Sequence, residues 1–283
     1  MSLHTETAAQ VSTPPTVDGP AVVFEHVQLA FDEKVILRDV SFELLPGHTK
    51  IFLGASGSGK STILKLILGL LKPDAGAIYV NGVRTDPMTE LELMTVREQL
   101  GMVFQEGALF DSLTVEENVG YKLYEETDQP LEQVRARVLE VLGFIGMAEF
   151  VARMPSELSG GQRRRVAIAR AMAAKPPILL YDEATTGLDP ITADTVDNEI
   201  IKLRDLENVT SIVVTHQMRD AFRVATHEAV REGNDIRIIP ADREKCEEAE
   251  FIMLKDGTIA FEGHAGELRT AAGRDPYLKA FLS

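Results

Sequence analysis

With one cysteine, Cys246, no tryptophan and 6% aromatic residues, this chain of 283 residues is poor in the side chains that staple small domains. A single thiol excludes an intrachain disulfide framework and a cysteine-built metal site. Basic residues are also scarce, 29 Lys and Arg against 44 Asp and Glu, for a net charge of -15 at pH 7. That balance argues against nucleic acid as a partner, because such binding draws its affinity from neutralising phosphates. Long apolar runs are missing too. The longest, Ile63–Leu71, is short and carries Lys65, so nothing reads as a membrane-spanning helix. Residues 1–20 lack a basic start followed by an apolar run and do not read as a secretory leader. These absences predict a cytoplasmic protein.

The apolar share, 45%, and the charged share, 26%, are ordinary for a globular chain long enough to bury a substantial core. Residues 1–20, rich in Thr, Ser, Pro and Ala, read as a disordered tail. Val22–Leu29 and Val35–Leu44 read as strands flanking a turn at Phe31-Asp32-Glu33, and Thr49–Leu53 as a strand entering a glycine-rich turn. Ser61–Leu71 has helical spacing, while Ala77–Val80 and Gly101–Phe104 read as further strands. From Glu106 to about Lys175 the pattern is helical only, with Leu131–Leu142 and Gln162–Ala173 clearest. Alternation resumes with Ile178–Tyr181, Ile191–Leu206 and Ser211–Val214. This order predicts an α/β fold: a mixed sheet with flanking helices, an N-terminal antiparallel β subdomain and an inserted helical subdomain at about 106–175.

Gly54-Ala55-Ser56-Gly57-Ser58-Gly59-Lys60-Ser61 matches the phosphate-binding loop (Walker A) pattern between a strand and a helix, the context that pattern requires. Its glycines let backbone N–H groups surround phosphate oxygens, helped by the helix N-terminus. Lys60 is expected to reach the β- and γ-phosphates of a nucleotide, Ser61 to ligate Mg2+, and Thr62 to belong to the same loop. Asp182 and Glu183 close an apolar strand. Alone they are an ordinary loop start; beside a phosphate loop, Asp182 suits the metal and Glu183 suits a base that polarises water. Leu158-Ser159-Gly160-Gly161-Gln162 opens a helix. Capping explains Ser159 but leaves the glycine pair and Gln162 unexplained. Arg163, Arg164, Arg165 and Arg170 read as a solvated helix face, or as positive charge near the nucleotide.

The phosphate loop, Gln105, Leu158–Gln162, Asp182-Glu183, Leu188-Asp189 and His216 stand in the order found in ABC transporter ATPase subunits, and from about Val22 to Gly263 the chain resembles them. The resemblance implies a Mg2+-dependent ATPase working as a head-to-tail homodimer, with residues 54–61 of one chain facing Ser159, Gly160, Gly161 and Gln162 of the other. It implies that Gln105 lies near Mg2+ and the transport domain, that Asp189 crosses the dimer, and that His216 meets the γ-phosphate. Phe31 sits where the family places an aromatic that stacks on adenine, where the family more often has tyrosine. Ala184 replaces the usual proline, which predicts a looser loop. His227–Glu250 reads as an exposed extra segment with eight acids and four bases. The implied division is an ATPase domain over 21–265 and a C-terminal tail over 266–283, with Tyr277–Leu282 as a helix docking on its own core or on a partner.

Gly107-Ala108-Leu109-Phe110 after Gln105, Met154–Gly161 and Asp189-Pro190-Ile191-Thr192 are similar to the lipid-asymmetry (Mla) and MCE-associated ATPases, although many of those have Met at the position of Gln162. This implies lipid (phospholipid) transport across the bacterial envelope, an integral-membrane permease (MlaE-like), an MCE-domain protein, and a place on the cytoplasmic face of the inner membrane. Phe110 and Leu109 are then candidate permease contacts or plain core residues. Two alternatives stay open: the ATPase subunit of an amino-acid or other small-solute importer, and an ATP-binding regulatory module with little turnover.

Overall fold

The computed structural model describes residues 19–233 and 235–282. The predicted tail, 1–20, lies outside them except for its last two residues. In chain order the elements begin with β1 (Val22–Phe31), β2 (Lys34–Leu44), β3 (Thr49–Leu53), α1 (Lys60–Ile67), β4 (Ala75–Val80), β5 (Val83–Arg84), α2 (Glu90–Glu98) and β6 (Leu100–Val103). A run of helices follows, α3 (Val115–Glu126), α4 (Leu131–Phe144) and α5 (Gly160–Ala173). Next come β7 (Ile178–Asp182), α6 (Pro190–Glu207), β8 (Thr210–Val214), α7 (Met218–Thr226), β9 (His227–Glu232) and β10 (Asp235–Pro240). The chain closes with α8 (Arg243–Cys246), β11 (Ala249–Lys255), β12 (Thr258–His264), α9 (Ala265–Ala272) and α10 (Pro276–Leu282).

A six-stranded sheet in the order β12-β11-β3-β8-β7-β6 forms the centre, parallel from β11 to β6 with β12 antiparallel at one edge. A second sheet, β2-β1-β4-β5, is antiparallel throughout. Side-chain alternation splits the core between the two faces of the central sheet. Ile51, Leu53, Phe251 and Met253 join the helical side with Val119, Val138 and Ile168, whereas Phe52, Ile252 and Leu254 join α1 and the antiparallel sheet. The mixed sheet, its flanking helices and the antiparallel N-terminal sheet are the α/β architecture expected.

One detail departs from the sequence reading and two refine it. Helix α1 ends at Ile67 rather than Leu71, because the chain turns at Gly69 and Arg97 donates to the terminal carbonyls of Leu68 (2.9 Å) and Gly69 (3.4 Å). Residues 227–250 are largely exposed or half-buried, yet they are tied to the core. The β9–β10 hairpin packs on α6, where Asp205 accepts from the Ala229 amide (2.8 Å) and pairs with Lys245 (3.0 Å), and Arg204 donates to the His227 carbonyl (2.7 Å). Ala249 and Glu250 already belong to β11 in the central sheet. At the C-terminus, α10 docks on its own chain: Leu278 is buried and the Tyr277 hydroxyl donates to the Leu254 carbonyl (3.3 Å).

Candidate functional site

The fully buried strand β3 delivers the glycine-rich loop to the carboxyl edge of the parallel sheet, the edge where open α/β sheets bind ligands. Gly59, at φ +101°, occupies the N-cap of α1 without a side-chain cap, so the first-turn amides have no side-chain acceptor. A Cβ there would stand 3.0 Å from Leu37 Cδ2. Lys60 is 5% exposed, and its Nζ donates to the carbonyls of Gly54 (2.8 Å) and Ala55 (3.0 Å). Burial lowers its pKa, while Glu183 and Asp182 act to raise it. Ser61 Oγ donates to Asp182 Oδ1 (2.8 Å), joining α1 to the end of β7, and burial pushes the Asp182 carboxyl up. Two hard oxygen donors beside a lysine and open amides fit a magnesium nucleotide. Thr62 follows in α1.

Glu183 is held in the left-handed region (φ 48°) by its amide, which donates to Val214 O (2.8 Å) at the end of the neighbouring β8. Its Oε1 lies 3.2 Å from His216 Nδ1, and Thr186 Oγ1 donates to its Oε2 (3.2 Å). Ala184, where the sequence predicts a looser loop, is buried, and the Thr186 and Leu188 amides each donate to the carbonyl three residues back, Glu183 and Thr185 (both 3.1 Å). Gln105 is exposed two residues beyond β6, whose Val103 pairs with Tyr181 of β7, so it stands at the same edge. Phe31 closes β1 and is 46% exposed. A cavity of about 340 Å³ separates Ala55–Ser58 from Lys34, Arg38, Lys255 and Tyr277. Sequence reasoning missed this wall, because its residues come from β2 and the far C-terminus and carry no local signature. A larger cleft of about 790 Å³ lies between the two sheets beside Lys50, but its rim of Glu25, Glu43, Glu247, Glu248, Glu250 and Glu262 would repel phosphates.

The second glycine-rich helix start is built differently. Ser159 caps α5 in a reciprocal box: Ser159 Oγ accepts from the Gln162 amide (3.3 Å) and Gln162 Oε1 accepts from the Ser159 amide (2.8 Å). Capping therefore does account for Gln162. Gly161 also has a packing cause, since a Cβ would meet Thr192 Cγ2 of α6 at 2.1 Å, whereas at Gly160 the nearest atom is 3.4 Å away. Asp189 caps α6, accepting from the Ile191 and Thr192 amides (3.1 Å each) and from Thr192 Oγ1 (2.5 Å). These bonds, the Thr192 hydroxyl first, hold its carboxyl below the usual range.

The arginines are internal ties rather than a solvated face. Arg163 donates to Leu158 O (2.6 Å), Arg164 to Thr186 O (3.3 Å) and Arg165 to Ile145 O (3.4 Å). Arg170 donates to Ala108 O (2.7 Å) and Gly107 O (2.9 Å), and burial lowers its pKa. Asn118 completes the clamp by donating to the Phe110, Leu113 and Thr114 carbonyls (3.0 Å each). Leu109 packs on the core, while Phe110 is 43% exposed with its ring 4.6 Å from Tyr121.

A phosphate loop feeding a parallel sheet, with a hydroxyl–carboxylate pair and a glutamate–histidine pair at its edge, defines a P-loop nucleoside triphosphatase. A family model described as "ABC transporter" matches residues 37–186. The chain is 36% identical over 274 residues to Protein TRIGALACTOSYLDIACYLGLYCEROL 3, chloroplastic, of Arabidopsis thaliana, across 91% of this chain and 72% of that protein. It is 40% identical over 239 residues to Methionine import ATP-binding protein MetN 1 of Rhodopseudomonas palustris, across 82% of this chain and 62% of that protein. The chain thus spans under two thirds of that methionine-import relative. The ATP-binding cassette MJ0796, in its dimeric post-hydrolysis state bound to ADP and Pi, aligns with TM-score 0.70 and 33% identity over 86% of this chain and 98% of that one. The chain belongs to the ABC transporter family and is its ATP-binding, ATP-hydrolysing cassette. Among the described residues no helix is long and apolar enough to cross a membrane.

Proposed function

We propose that this cassette hydrolyses ATP to energise lipid (phospholipid) transport across a bacterial envelope, as a homodimer under an MlaE-like permease with an MCE-domain protein, on the cytoplasmic face of the inner membrane. One observation carries the hydrolytic part: Lys60, the Ser61–Asp182 pair and the Glu183–His216 pair meet at one sheet edge. The first-turn amides of α1, which have no side-chain acceptor, and Lys60 would cradle the phosphates. Ser61 and Asp182, with Gln105 nearby, would hold Mg2+, which neutralises charge on the β- and γ-oxygens. Glu183, oriented by His216 and Thr186, polarises the attacking water. Ser159, Gly160 and Asp189 act across the dimer, and Phe31 stacks on adenine. Replacement Glu183→Gln should retain ATP binding while turnover falls roughly 10²–10⁴-fold; unchanged turnover would remove Glu183 from this role.

The lipid assignment is supported by the Gly107–Phe110 segment and by a relative named for the lipid trigalactosyldiacylglycerol. Phe104 and Phe110, exposed on the segment that Arg170 and Asn118 hold, suit a coupling helix of the permease. The second reading, an amino-acid importer, is favoured by the methionine-import relatives. Purification of the intact complex from native membranes separates the two. Lipid recovered with an MCE-domain protein supports the first, and a solute-binding protein with amino-acid-stimulated hydrolysis supports the second.

A further inference from the structure

Between α6 and α7 lie two carboxylates that the hydrolytic site does not use. Asp197 is 1% exposed and Asp220 is 3% exposed. Asp197 Oδ2 and both oxygens of Asp220 receive no hydrogen bond from any donor among the described residues. Other polar groups in this seam are satisfied: Arg219 donates to Pro190 O (3.1 Å) and pairs with Asp194, and Arg223 donates to Asn198 Oδ1 (2.9 Å). Both carboxylates thus lie bare within one seam, without the solvation that water supplies, and the charge of Asp220 disfavours a second charge on Asp197.

We propose that Asp197 and Asp220 share one proton, and that the protonated pair is a positioning device fastening α6 to α7. The consequence reaches the nucleotide site, on the reading that Asp189 and His216 serve it, because Asp189 caps α6 and His216 stands four residues before Asp220. Asp197 sits mid-helix in α6, with no helix terminus to favour its charged form. The proton therefore resides on Asp197. The charged groups acting on Asp197 are Asp220, Arg223 and Arg219 from α7 and Asp194 from its own helix. Burial first, then Asp220, push its carboxyl up to about 8.

The sign follows from a folded pKa above the unfolded one. The stabilisation is complete below the ordinary carboxylate range and is lost as pH rises to about 8. Thermal melting and ATP hydrolysis of the full chain should be followed from about pH 5 to about pH 9 for wild type, Asp197→Asn, Asp220→Asn and the double variant. Wild-type melting temperature should fall across this range, and each single variant, whose amide can donate where the proton did, should flatten the fall. At about pH 9, hydrolysis by wild type should drop by up to about tenfold relative to its neutral value while Asp197→Asn keeps its own. A wild-type slope retained in both single variants would overturn the shared proton. A flattened melting slope with an unchanged alkaline profile of hydrolysis would keep the pair and overturn its link to the site. Absence of hydrolysis in wild type at every pH would instead strike the hydrolytic reading, leaving the melting data to decide the proton.

Discussion

The two glycine-rich helix starts look alike in sequence and differ in how their amides are satisfied. Before α1, Gly59 offers no side-chain acceptor, the first-turn donors stay open, and a buried lysine curls over the loop. Before α5, Ser159 and Gln162 satisfy each other's amides and Gly161 exists to let α6 approach. The first start is incomplete without an anion. The second is complete as a piece of fold, yet Ser159 accepts its internal bond and so keeps its own hydroxyl proton to donate. An uncapped terminus binds by itself, and a capped one only assists a site held elsewhere. That asymmetry suits a site whose two halves sit on different chains.

The contrast breaks most sharply at Lys60. Lys60→Ala should lower turnover by roughly 10²–10³-fold and abolish nucleotide binding by the isolated chain, read by steady-state hydrolysis and equilibrium binding. Next comes packing. Gly161→Ala forces a methyl against Thr192 and should cost about 1–3 kcal/mol in denaturant unfolding, with Thr192→Ser as a second change restoring most of it. Gly160→Ala, with its open neighbourhood, should cost nothing measurable. Ser159→Ala should remove about 1 kcal/mol through the lost cap while nucleotide binding by the monomer stays unchanged. The smallest effect is expected at Phe31: Phe31→Ala should weaken ATP binding by about 1 kcal/mol of stacking and leave unfolding unaffected, since the ring is largely exposed.

Features legible in the sequence were those written into contiguous residues: the phosphate loop, the acids ending β7, the serine cap of α5 and the alternation of strand and helix. Their chemistry depends on local spacing, which a strand followed by a helix reproduces in space. What escaped depends on partners far along the chain. The arginines of α5 read as a charged surface because the carbonyls they serve, at Gly107, Ala108, Ile145 and Thr186, are invisible from the run itself. Gly161 looked like a ligand feature because Thr192 is thirty-one positions away (192 − 161). Residues 227–250 read only as an exposed extra segment because their charge hides the ties of Arg204 and Asp205, and because β11 inserts beside β3 from the other end of the chain. Nothing in the sequence joins Asp197 to Asp220 until α6 and α7 are packed.

The central claim is that a complete nucleotide site needs the phosphate loop of one chain and the capped start of α5 from another. Analytical ultracentrifugation of Glu183→Gln with and without Mg2+ and ATP tests it most directly, with Ser159→Arg added to block the seam. The account predicts a dimer holding two nucleotides only when ATP is present, and its loss in the doubly substituted chain. A monomer that binds and, as wild type, hydrolyses ATP at full rate regardless of Ser159→Arg would contradict it.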